Sequence, residues 1–422
     1  MSRSTLAIVG GGWAGIAAAV TAHRLGAQVT LFEMAPLLGG RARRADVDGQ
    51  TLDNGQHILI GAYRDTLDLM REVGVDPDTV LARHPLTLVD ARGQGLRLRA
   101  GPPALAFALA VARRPDWSWA QRGRLLLSAA GWAARGFACP KDWTVARLCQ
   151  GLPQVVMQDL IEPLCVAALN TAAADASALV FLRVLRDGLF GGKGAADLLL
   201  PRDGLDQLLP APALQWLKAQ GVSVHLRTRV QVLAPTAAGW LVDGTAYDAV
   251  VLACPAGEAA RLTRALAPDW SACAASLRHE PIVTVYLRGP SHALPFPMLA
   301  LRGVPAQFLF DLPALGVADG LFAAVISGAA QWVDAGPDAT ARAVLDQLGS
   351  ELPSADPASP WRVVKVISER RATLACTPAL RRPDLRVAPS LVAAGDFVDG
   401  PYPSTLEGAV RSGRLAVQTL LN

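Results

Sequence analysis

Residues 5–15, TLAIVGGGWAG, leave few folds open to the chain that carries them. Thr5 to Val9 has the composition of a short buried strand. Gly10, Gly12 and Gly15 fill the three glycine places of G-x-G-x-x-G, and an alanine-rich stretch then predicts a helix to about Leu25. Strand, tight turn and helix in that order suit a diphosphate. Glycine permits the sharp turn at position 10, close backbone approach at 12 and tight helix–strand packing at 15, and the helix N-terminus offers unpaired N–H groups to the anion. A second predicted strand, Gln28 to Phe32, ends in Glu33, 23 residues after Gly10. A carboxylate there accepts hydrogen bonds from the hydroxyls of an adenosine ribose.

Residues 38–43 decide between dinucleotides. Leu38-Gly39-Gly40-Arg41-Ala42-Arg43 comes directly after the second strand, and this turn resembles the second phosphate-contacting loop of FAD-binding oxidoreductases of the amine oxidase and phytoene desaturase type. A simple NAD domain has no such loop. Near the C-terminus, Gly395-Asp396 resembles the motif whose aspartate holds the ribityl and phosphate part of FAD. The resemblance implies FAD contacts from Gly10, Gly12, Ala14, Gly15, Glu33, Gly39, Gly40, Arg41, Gln56, Gly395 and Asp396. It adds the main chain of Val230 near the adenine and Ser404, Thr405 and Leu406 near the flavin. Ser404 and Glu407 also have the S-x-x-E spacing of a capping box, which predicts a helix from Thr405 to Leu420. Its N-terminus, aimed at the N1 and O2 edge of a reduced flavin, would stabilise negative charge by roughly 0.3 to 2 kcal/mol.

At 422 residues the chain has room for two domains. The expected fold class is α/β: a discontinuous Rossmann-like FAD-binding domain from 1–75, 198–262 and 380–422, with an inserted mixed-sheet and helical substrate domain from 76–197 and 263–379, the layout of amine oxidase-like flavoproteins. Helices are expected at 63–73, within 102–138 and 144–190, and at 205–217. Residues 52–61 are expected to be a turn entering a strand, and further strands are expected in the alternating stretch 86–99 and at 222–230, 248–253, 282–287, 308–310, 321–327, 361–367 and 391–396. A net charge of +4 is too small an excess to suggest nucleic acid. Hydrophobic residues reach 51% and mean hydropathy +0.29, without an uninterrupted apolar run of membrane-spanning length. Arg113, Arg114, Arg122, Arg124 and Arg135, with Trp117, Trp119 and Trp132, border the apolar segments between 102 and 138. This is the pattern either of a monotopic membrane patch or of a helical lid. Six scattered cysteines have no metal-binding or C-x-x-C spacing, so reduced thiols in a cytoplasmic protein and no metal site are expected.

Four blocks sharpen the resemblance: LDNGQHILIGAYRDTLDLMREVG (52–74), ASALVFLRVLRDGLFGGKGAADLLLP (176–201), SERRATLACTPALRRP (368–383) and AAGDFVDGPYPSTLEGAVRSG (393–413). Together they resemble the hydroxysqualene dehydroxylases, also known as squalene-associated FAD-dependent desaturases, over nearly the whole chain. The resemblance implies reductive loss of an allylic hydroxyl from hydroxysqualene, with hydride from reduced FAD, in hopanoid or related triterpene synthesis. It also implies an isoprenoid substrate, an external electron donor, and a cytoplasmic protein in peripheral contact with the inner face of the membrane. Such chemistry needs a proton donor, a dry tunnel and a flavin at its mouth. His57 has an ordinary pKa of about 6.5 that suits acid work. Arg370, with Arg371, could orient the hydroxyl or flavin. Tyr402 stands where amine oxidases carry an aromatic beside the ring. Asp197 and Glu369 are further acid candidates. A carotenoid-type desaturase, an amine oxidase and a non-enzymatic prenyl-lipid escort remain as rivals.

Overall fold

The structure is a computed structural model that describes residues 4–47, 50–289, 294–317, 320–353 and 360–421. The Thr5–Val9 strand lies inside a six-stranded sheet ordered Ser223–His225, Gln28–Phe32, Thr5–Val9, Ala249–Leu252, Leu391–Ala393 and Arg386–Ala388. All neighbours are parallel except the last pair. The central strands, Thr5–Val9, Ala249–Leu252 and Leu391–Ala393, are covered on both faces, which is why they read as nearly continuous apolar runs. Leu6, Ile8, Leu31 and Val251 pack with the first helix on one side, and Ala7, Val250, Leu252 and Leu391 form a second cluster on the other. Nine of the twelve residues of that helix, Trp13–Arg24, are buried, because it also supports the terminal helix, Leu406–Leu421. Their approach is so close that a Cβ on Gly413 would come 2.2 Å from the Ala14 carbonyl oxygen.

A second sheet is antiparallel: Met298–Ala300, Phe308–Asp311, Leu321–Ile326, His279–Arg288 and Arg362–Leu374. Here the side chains alternate. Val283, Val285 and Leu287 join Leu309, Phe322 and Ile326 under the Pro337–Glu351 helix. Ile282 and Tyr286 join Phe308, Phe310 and Met298 on the other face, against Leu198, Leu200, Ile58 and Ile60 of a small sheet of Leu59–Ile60, Leu198–Pro201 and Leu81–His84. Leu86 and Leu88 touch both this layer and a helical cluster built on Pro103–Ala112, Trp119–Ala134 and Ala178–Phe190. An apolar layer therefore runs from the antiparallel sheet into the helices.

The structure corrects several sequence expectations. The helix at 205–217 is two helices, Leu205–Leu208 and Pro210–Ala219, because Pro210 lacks the N–H that continuity requires and starts a new helix instead. The strand at 222–230 stops at His225, ahead of Arg227 in the left-handed region at φ +55°. The 52–61 segment is a turn entering a strand as expected, but that strand is only Leu59–Ile60, and the segment begins with the end of a hairpin strand, Gln50–Asp53. The strand expected at 361–367 continues to Leu374. Two of the three tryptophans expected on a surface patch are core: Trp117 and Trp132 are buried, and Arg114 is enclosed with Asp116 and Asp159. Trp119 alone of the three is exposed, at 78%.

Candidate active site

Two glycine turns meet above the parallel sheet. Gly10 has φ +111°, and a Cβ there would sit 2.5 Å from the Ala253 carbonyl oxygen, so only glycine fits. A Cβ on Gly15 would strike the Gly10 carbonyl oxygen at 1.9 Å. The first helix starts from Gly12 without a side-chain cap or an acidic residue in its first turn. Its first internal bond is Ile16 N–H to Gly12 C=O, which leaves the N–H groups at the helix mouth, Ala14 among them, for an anion. The second turn is stapled to the first: Gly39 N–H donates to Gly11 C=O at 2.9 Å, and a Cβ on Gly40 would lie 3.2 Å from the Gly12 Cα. Glu33 closes the edge, accepting from Gly11 N–H and Ala35 N–H, each at 2.7 Å. Its carboxylate is thus fixed beside the first turn.

Arg41 ties this seat to the antiparallel sheet. Its guanidinium donates to Asp396 and to the main-chain carbonyls of Arg371 and Ala372, and the Asp396 charge raises its pKa against the cost of burial. Those carbonyls are free because the ladder is interrupted: Glu280 pairs with Thr373 and Ile282 with Glu369, so Pro281 faces three residues, 370–372. Proline offers the ladder no N–H, and a bulge forms opposite it. Asn54 links Arg41 C=O to Glu369, whose other oxygen accepts Arg371 N–H. Glu369 is therefore a structural partner here, as is Asp197, which pairs with Arg83. Asn54 escaped the sequence reading, although its place before a φ +90° glycine, Gly55, marks it as a turn residue.

His57 stands in the same turn, largely enclosed, with Nδ1 3.2 Å from Gly55 C=O. A carbonyl can only accept, so Nδ1 carries the proton and Nε2 the lone pair. Burial first, with help from the Arg41 charge, lowers its pKa, leaving the ring neutral at pH 7. Arg370 projects from the bulge and is exposed. Gln56 lines a small cleft with Asp53, Tyr286, Arg44, Leu312 and Val317. Val230 is buried, with its carbonyl accepting from Arg261. Tyr402 lies beneath the Arg411 guanidinium, 4.8 Å from ring centroid to Cζ, and burial and the neighbouring Asp187 carboxylate raise its pKa. Gly395 takes φ +152°, and its N–H donates to Ser412.

The expected Ser404–Glu407 capping box does not form. Ser404 is left-handed at φ +56°, and its hydroxyl accepts Leu374 N–H from the antiparallel sheet. Thr405 caps the terminal helix, accepting Gly408 N–H at 2.9 Å. Glu407 instead reaches the Arg64–Glu72 helix, accepting from the N–H groups of Asp65 and Thr66 and the Thr66 hydroxyl. Its carboxylate thus caps a different helix from the one that carries it.

A cradle that side chains would fill, a bare helix mouth, a fixed acid and a second glycine turn fit a dinucleotide with a second phosphate contact. The family model for flavin-containing amine oxidoreductases matches residues 13–421. The chain belongs to that family. This flavoenzyme is an oxidoreductase with FAD as cofactor, and its fold is amine oxidase-like. It is 30% identical to the hydroxysqualene dehydroxylase of Rhodopseudomonas palustris, over 99% of this chain and 98% of that one. To that of Sinorhizobium fredii it is 27% identical, over 98% of each. Among solved structures, an oxidoreductase from Methanosarcina mazei superposes with TM-score 0.72 at 14% identity, covering 98% of this chain and all of that one.

Proposed function

We propose that this flavoenzyme reduces hydroxysqualene to squalene with loss of water, in hopanoid or related triterpene synthesis. The observation that carries the reading is the full-length likeness to the Rhodopseudomonas palustris dehydroxylase. The continuous apolar layer supports it, since each buried methylene is worth about 0.8 kcal/mol and a long isoprenoid has many. A polar amine would gain little from such a wall.

Gly10, Gly12, Ala14, Gly15, Glu33, Gly39, Gly40, Arg41 and Asp396 are the residues that would hold FAD. Bound FAD, when reduced, supplies a hydride; the rest falls to the chain. The substrate hydroxyl is allylic, so protonation and departure of water would leave a delocalised cation, and an apolar surround of the kind that Ile58, Ile282 and Phe308 provide would keep water from recapturing it. His57, Arg370 and Tyr402 are the polar side chains this reading assigns to the chemistry. His57 offers Nε2 as a proton carrier. Arg370 stays charged and orients the oxygen or the cofactor without giving up a proton. Tyr402 borders the turn that enters the terminal helix. Two electrons are consumed per turnover, and an external donor returns them. Substrate and product both partition into lipid, and exposed Leu105, Leu109, Trp119 and Leu127 on adjacent helices, with Arg122 stacked on Trp119, support peripheral contact with a bilayer.

The deciding experiment mixes anaerobic, photoreduced enzyme with hydroxysqualene and follows both flavin colour and product. Squalene in one-to-one ratio with reoxidised flavin is expected. Oxidised enzyme that instead desaturates a polyene, with no squalene formed by the reduced enzyme, overturns the assignment in favour of an oxidative desaturase.

A further inference from the structure

The face of the His279–Arg288 strand that carries Ile282 and Tyr286 holds one hydroxyl between them. Thr284 is 1% exposed, and its Oγ1 has no hydrogen-bond partner among the described residues. The other buried unpaired atoms, on Arg122, Asp187, Asp206 and Arg414, belong to groups that bond through a second atom. Thr284 has nothing else to bond with. A buried hydroxyl in that condition is costly, and native structures rarely leave one without a protein, water or ligand partner.

Its surroundings define the partner. Val325 and Ile367 flank it across the ladder. Opposite lies Gly55, where an added Cβ would be 3.6 Å from Thr284 Oγ1. Gly55 belongs to the turn that carries His57 and, through Asn54, grips Arg41 of the cofactor seat. One unmatched hydroxyl is therefore enclosed in an apolar layer, against the turn that carries His57. A hydrocarbon bearing a single oxygen, admitted beside that turn, would match the layer and supply the missing partner.

We propose that Thr284 Oγ–H donates a hydrogen bond to the hydroxyl oxygen of the isoprenoid alcohol, and so distinguishes the alcohol from the hydrocarbon of the same skeleton. The inference rests on the dehydroxylation reading. One lone pair of the oxygen accepts Thr284, and the other takes the proton. The C–O bond then breaks and water leaves with the bonding pair; bound reduced flavin would supply the hydride for the new C–H bond and be oxidised by two electrons. Thr284 begins and ends the cycle protonated.

The test uses oxidised holoenzyme titrated separately with hydroxysqualene and squalene, read by flavin difference spectra. Thr284→Val keeps the shape and removes the hydroxyl; Thr284→Ser keeps the hydroxyl; Thr284→Ala serves if the valine variant fails to retain FAD. Loss of one hydrogen bond predicts about tenfold weaker binding of the alcohol in the valine variant, unchanged binding of squalene, and recovery in the serine variant. A valine or alanine variant that still prefers the alcohol as the wild type does, or that loses both ligands in parallel, overturns the proposal. Its failure is separable from failure of the reaction assignment. Wild-type enzyme whose reduced form makes no squalene refutes the reaction whatever Thr284 binds, whereas full turnover with undiminished alcohol preference in Thr284→Val refutes only the role of Thr284.

Discussion

Asp53 and His57 stand at the two ends of one turn, yet burial moves them in opposite directions, as it must for an anion and a cation. In His57 the charged form is disfavoured and the pKa falls below its usual value of about 6.5. A proton delivered from this ring is therefore available only on the acid side. The rate of anaerobic single turnover should rise as pH falls through and below about 6.5, and His57→Gln should flatten that limb while FAD stays bound. A flat wild-type profile from about pH 5 to 8 would remove His57 from the proton path. For Asp53 burial raises the carboxyl to about 6, opposed by Leu205 N–H and Arg44, with Asp203 and Asp206 adding to the rise. A folded pKa above the unfolded value favours the protonated fold, so that contribution is complete below about pH 4 and is lost as pH rises through about 6. Asp53→Asn should accordingly gain stability relative to the wild type between those values, by up to about 3 kcal/mol, measured as the difference in denaturation free energy across pH.

Among the elements, the strands Thr5–Val9 and Gln28–Phe32 were legible to the residue and the first helix to within one, because the apolar runs are punctuated by glycine. Local spacing could not reveal partners chosen in three dimensions. The S-x-x-E of Ser404 and Glu407 is a sound local signal, but Leu374 N–H claims the serine and the Arg64–Glu72 helix claims the acid. Likewise nothing in SERRAT announces that Pro281, some ninety residues earlier, will force a bulge there. Glu407 is 2% exposed and holds two helices and Arg411 together. Glu407→Ala should therefore cost about 3 to 5 kcal/mol, the range for breaking a buried charged network. Chemical denaturation checks it, and a loss below about 1 kcal/mol would show that the cross-helix cap contributes little.

For the whole molecule, the same logic explains why the lid was harder to read than the nucleotide fold. Arginine and tryptophan counts cannot separate Trp117 and Trp132, which are core, from Trp119, which faces outward. The exposed remainder, Leu105, Leu109, Trp119 and Leu127, is a smaller apolar surface than the sequence suggests. No helix among the described residues is long and apolar enough to cross a membrane. If the outward residues dock on lipid, co-sedimentation with anionic vesicles should weaken with rising salt. It should fall several-fold in a Trp119→Ser, Leu127→Ser double variant whose flavin content is unchanged. Equal recovery of both proteins would assign these residues to another purpose.

The Arg41 clasp has a wider meaning. One guanidinium spans from the glycine turns to the sheet across the cleft, gripping carbonyls that exist as free acceptors only because a proline broke the ladder. The glycine turns and the bulged strand thus share one brace, so a change at Arg41 would be felt on both sides of it together.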